Sequence, residues 1–162
     1  MGITTSITFK REYLAEYATR KWGDFAGVVQ FPKRSGLSGA LFYYLQRRPK
    51  NAPMDAGNIR IDIPWYWAPK GEKRKPPMQY NYLTEDGQNA IENLVRMVFW
   101  WEAHETIHRL RHRRGETILG AVECFMSRYR IRSISEDAVL KSYQRWLKGL
   151  KEQKKRMKNI AK

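Results

Sequence analysis

TEDGQNAIENLVRMVFWWEAHETIHRLRHRR, residues 84–114, reads as one long helix, and the rest of the chain arranges itself around that reading. Thr84 is a capping residue type, and Glu85 and Asp86 follow where the helix dipole is positive. Between Ile91 and Trp101 apolar groups fall on nearly every face, as in a helix packed on several sides. Gly115 then breaks the run. A helix of this length and apolarity is the central element of a small domain.

Upstream, Phe9, Tyr13 and Tyr17 recur every fourth residue beside Leu14 and Ala18, which predicts an amphipathic helix ending at "WGD". "GVVQFP" reads as a short strand stopped by Pro32. "KRSGLSGALFYYLQRRP" reads as a second helix, capped by Ser35 or Ser38, with Arg47 and Arg48 at its negative end. In "NIRIDIPWYW" the residues Ile59, Ile61, Ile63 and Trp65 alternate with Arg60, Asp62 and Pro64, the period of a half-buried strand. Pro64 assigns that strand to a sheet edge. A basic loop leads to "MQYNYL", where Met78, Tyr80 and Tyr82 alternate, so the two strands are expected to form a hairpin.

Downstream, "ETILGAVECFMSRYR" predicts a helix, "IRSIS" a turn, and residues 136–162 a final helix with Ser135 as its cap. The fold class is therefore α+β: a small antiparallel sheet or hairpin packed on a long central helix, with a mostly helical C-terminal half containing a helix-turn-helix-like pair. The expected organisation is a single domain over residues 1–150, including the helical pair 116–150, and a basic tail over 151–162.

Charge narrows the function. Thirty-one Lys and Arg against sixteen Asp and Glu give +15 at pH 7, an excess that opposes compaction by self-repulsion and fits a polyanionic partner. Residues 1–50 carry nine positive and three negative groups, residues 51–100 six and six, and residues 101–162 sixteen and seven, so the charge lies towards the two ends. No apolar run approaches the ~20 residues that cross a bilayer. The lone Cys124, set in "GAVECFM", reads as a small buried hydrophobe and fits a reducing, cytoplasmic compartment.

Within the long helix, His104, Glu105 and His108 follow the H-E-x-x-H spacing, which puts two imidazoles one turn apart with a carboxylate beside them. Over these five residues the chain resembles the zincin metallopeptidases. The resemblance implies a zinc-dependent hydrolase with His104 and His108 as ligands, Glu105 as base and a downstream glutamate, Glu116 or Glu123, as third ligand, while the residues themselves also offer His112. Glu102 and Arg109 stand where that family favours uncharged residues. Arg109, Arg111, Arg113 and Arg114 also surround the motif with charge that opposes a dication.

The leading expectation is instead a non-enzymatic protein that needs no cofactor and binds nucleic acid, chiefly duplex DNA, as a regulator or accessory factor of phage or mobile-element type. On the last helix Val139, Tyr143, Trp146 and Leu150 recur at four-three-four spacing and face inward, leaving Lys141, Gln144, Arg145 and Lys148 outside. Lys151 continues that side, Arg130 and Arg132 flank the turn, and Lys33 and Arg34 precede the second helix, where an N-terminus already favours phosphate. "QRRPK" and "KGEKRK" are further basic segments. Trp65, Tyr66, Trp67 and Tyr80 are aromatic groups of the kind that stack on bases, although an alternating strand buries one of its faces.

Overall fold

A computed structural model describes residues 2–64 and 68–160, so the aromatic residues 65–67 lie outside the described residues. The chain order is β1 (Thr4–Ile7), α1 (Glu12–Trp22), β2 (Val28–Val29), α2 (Gly36–Tyr44), β3 (Gln46–Arg47), β4 (Ile59–Asp62), β5 (Tyr80–Tyr82), α3 (Glu85–Arg114), α4 (Ile118–Tyr129) and α5 (Glu136–Ile160). The fold is α+β with a long central helix and a helical C-terminal half. Contacts gather in two compact units, Met1–Val98 and Phe99–Lys162, and α3 contributes residues to both.

In the first unit β4 lies between β1, which pairs antiparallel, and β2, which pairs parallel. The alternation in the sequence is kept: Ile59, Ile61 and Ile63 are buried, Arg60 is exposed and Asp62 half-buried. The pairing differs from a hairpin, because β5 joins β3 in a separate two-stranded sheet. Nor is β4 an edge strand. Pro64 lies past its end, where its missing N–H interrupts no ladder bond, while Ile63 N–H still donates to the Ile3 carbonyl at 2.9 Å. Gly57 is required by the backbone of β1, since a Cβ there would come within 2.0 Å of the Ile7 carbonyl oxygen.

The first half of α3 completes the start of α1. Arg11 occupies the N-cap of α1 and offers its backbone no side-chain acceptor. Glu92 of α3, 2% exposed, supplies one: its carboxylate accepts from Lys10 N–H at 2.9 Å, Arg11 N–H at 3.1 Å and the Arg11 guanidinium at 3.0 Å. A buried carboxylate thus satisfies the N-cap N–H that a helix start leaves open, together with the N–H before it.

Ser35 caps α2, accepting from Ser38 N–H at 3.2 Å. The other end is served from a distance. Arg47 and Arg48 lie beyond α2, with Arg47 over the Tyr80 ring and Arg48 bound to Asp55. Lys75 replaces them, donating to the carbonyls of Phe42 at 2.7 Å and Leu45 at 2.9 Å. A cation at these carbonyls meets both the unpaired acceptors and the negative end of the dipole.

In the second unit, Phe99, Ala103 and Ile107 of α3, Ala121, Val122 and Phe125 of α4, and Val139 and Tyr143 of α5 are fully buried. Gly115, at φ +68°, ends α3 in the left-handed conformation that glycine enters freely. Thr117 caps α4 and Ser135 caps α5, accepting from Gly120 and Ala138 N–H. Cys124 is exposed, contrary to its apolar neighbours in sequence, because the buried side of α4 is set by Ala121, Val122, Phe125 and Met126. No helix among the described residues is long and apolar enough to cross a membrane.

Candidate nucleic-acid interface

α5 is two-sided from its first turn. Val139 and Tyr143 are buried and Trp146 and Leu150 half-buried, whereas Lys141, Gln144, Arg145, Lys148 and Lys151 are all exposed. At ~100° per residue the exposed five span about 120° of the helix surface, opposite the packed side. Two acidic groups share this side, exposed Glu152 and Asp137, and Asp137 pairs with Lys141 at 2.7 Å, an exposed pair that water screens and that a phosphate can displace. Arg145 Nε donates to the Lys141 carbonyl at 3.3 Å, a bond that does not use the other donors of its guanidinium. The helix does not stop with the packing. Residues 151–160 remain helical with every side chain exposed.

The turn between α4 and α5 brings Arg130 and Arg132 to one cleft of about 350 Å³, together with Ser127, Glu123 and Glu136. The turn has no glycine because Arg130 itself adopts the left-handed conformation, φ 51° and ψ 41°. Ile131 N–H then reaches back to the Met126 carbonyl at 3.0 Å, and Ile131 is buried. This is the bonding that normally accompanies a terminal glycine. Lys33 and Arg34 are exposed in the turn before α2 and belong to the first unit. Arg34 is also left-handed, at φ 59°. The two non-glycine residues with positive φ among those described are therefore both arginines of the expected binding set.

The basic loop contributes less than its composition suggests, since Lys75 is bound to α2, while Lys70, Lys73 and Arg74 are exposed. Tyr80 is half-buried beneath Arg47 and Lys75, at 5.4 and 5.7 Å from its ring centre.

The H-E-x-x-H residues take part in packing. His104 is stacked against Trp100 and Trp146, with ring centres at 5.7 and 5.3 Å, and its Nε2 lies 3.0 Å from Ser142 Oγ. Burial lowers its pKa to about 4. His108 Nδ1 lies 3.1 Å from the Tyr143 hydroxyl. Burial, then the neighbouring His112, lowers its pKa as well, with Arg111 and Lys154 adding and Glu105 opposing. Among the described residues no three His, Cys, Asp or Glu side chains gather in a way that could hold a metal ion. The imidazoles of the motif join α3 to α5 through Ser142 and Tyr143.

The second unit also holds a feature that periodicity hid: Trp101, on an apolar stretch of α3, is 67% exposed. Its relation to Glu105 and Arg109, each one turn further along, was the available signal. Tyr129 donates a short hydrogen bond to Glu102 nearby, and its pKa is pushed up to about 12 by burial and by that bond. The chain matches no known protein family, no curated protein and no solved structure.

Proposed function

We propose that the protein is a non-enzymatic nucleic-acid-binding factor that lays the outward side of α5 on duplex DNA. The observation that carries this reading is the segregation on α5: Lys141, Gln144, Arg145, Lys148 and Lys151 are exposed together while the opposite side packs. Phosphates attract such a row, and Gln144 and Arg145 are of the types that read base edges in a groove. The α4–α5 pair joined by a short turn resembles the arrangement in which a second helix enters the major groove. Arg130 and Arg132 at the turn would hold the backbone, and Lys33 and Arg34 are a separate candidate pair for phosphate within the first unit. A chain of this charge with an exposed lone thiol suits a cytoplasmic accessory or regulatory role, of phage or mobile-element type.

The test is equilibrium binding to a duplex at moderate salt with Arg145→Ala and Lys148→Ala combined. Affinity is expected to fall by tenfold or more, on the order of two lost phosphate or base contacts. An unchanged affinity would exclude this side of α5.

A further inference from the structure

Trp101, Glu102, Glu105, Thr106 and Arg109 of α3 and Arg128 of α4 line a cleft of about 330 Å³, at the small end of the ~300–1,000 Å³ of small-ligand sites. Its chemistry is mixed in a particular way. A large indole surface stands 67% exposed on a helix. Arg109 and Arg128 line the same cleft and both are exposed, with the Arg128 guanidinium 5.5 Å from the Tyr129 ring centre. Thr106 is nearly buried, and Glu102 already accepts from Tyr129, so the outward carboxylate is that of Glu105.

We propose that this cleft binds one unstacked guanine nucleotide, with the base on Trp101, its N1–H and N2–H edge donating to Glu105, and its phosphate held by Arg109 and Arg128. Each part follows from what its partner offers. An exposed indole binds the π-face of any base. A carboxylate accepts only, and guanine is the base that presents two adjacent donors with no acceptor between them; adenine, cytosine and uracil each place an acceptor next to their donor. The two arginines then supply what a phosphate needs and what a cationic ligand would be repelled by. The site is distinct from the basic side of α5 and does not depend on duplex binding by that side. Its ligand is either a free nucleotide or a guanine turned out of a strand.

The full-length protein is titrated with GMP, AMP, CMP and UMP, and separately with short single strands that contain or lack guanine. Saturable binding of GMP is expected, about tenfold or more tighter than the other three, and lost by about tenfold in Trp101→Ala and partly retained in Trp101→Phe. Glu105→Gln is expected to bring the four nucleotides to similar affinity. Because Trp101 and Glu105 are exposed, both variants should melt as the parent does. Guanine-containing strands losing affinity in Trp101→Ala would assign the site to a strand, and loss confined to GMP would assign it to the free nucleotide. No saturable nucleotide binding, or equal binding by Trp101→Ala, would overturn the proposal, as would preferential binding of tetramethylammonium. In those cases retained duplex binding would leave the α5 reading intact.

Discussion

His104 Nε2 lies 3.0 Å from Ser142 Oγ, so the first histidine of a metal-like motif is spent on joining α3 to α5. Its ring is held neutral, with a pKa lowered to about 4 by burial. In the unfolded chain the same imidazole takes a proton near pH 6.5, so between about pH 6.5 and 4 the unfolded state binds more protons and stability falls as pH falls. Above pH 6.5 this contribution is fully present. Denaturant melts at pH 7 and 5 should show a smaller loss in His104→Gln than in the parent. An equal loss would mean that His104 is not held neutral.

The same relationship predicts indifference to metal. Thermal melts with and without a strong chelator should superimpose, and protein purified without a histidine tag should carry no stoichiometric zinc. Zinc that is lost on replacing His108 would reverse this reading.

Glu92 is the acceptor on which the start of α1 depends. Glu92→Ala would leave two backbone N–H groups and a guanidinium without it, and should destabilise the first unit by about 2–4 kcal/mol. Glu92→Gln keeps one acceptor oxygen and should cost less. Chemical denaturation measures both, and a loss below ~1 kcal/mol for the alanine variant would show that water replaces the carboxylate.

Arg130 occupies a conformation in which glycine is cheaper. Arg130→Gly should therefore raise stability by about 0.5–1 kcal/mol while weakening duplex binding. The opposing signs separate a residue kept for its charge from one kept for folding. Higher stability with unaltered affinity would remove Arg130 from the interface.

Lys75 should behave as a structural cation. Lys75→Ala removes donors from the carbonyls of Phe42 and Leu45 and is expected to lower the melting midpoint, by about 1–2 kcal/mol of stability. Duplex affinity at fixed salt, measured well below that midpoint, should change little. A large loss of affinity in a stable variant would place Lys75 on the nucleic acid instead.

Local rules read much of this fold in advance. The bounds of α3, the caps Thr84 and Ser135, and the inward set on α5 follow from periodicity and end chemistry within one helix, and the structure has them; of Ser35 and Ser38, both offered as the cap of α2, it is Ser35 that serves. Strand partners were not legible, because Ile59–Asp62 pairs with segments far away in sequence and alternation states only which side is buried. Lys75 and Glu92 were missed for the same reason, since each caps a helix from elsewhere in the chain. Cys124 was misread from its neighbours, and Trp101 was absorbed into an apolar run; a helix that is apolar on most sides does not announce which large residue is left uncovered.

Phosphates that meet one side of α5 displace counterions, and the salt dependence of binding measures that displacement directly. Duplex affinity is followed from 50 to 300 mM salt for the parent and for a variant with Lys141, Arg145 and Lys148 changed to Gln. Three lost contacts should lower the slope of log affinity against log salt by roughly two to three, together with a large loss of affinity at low salt. Identical slopes and affinities would mean that this side of α5 does not meet phosphate.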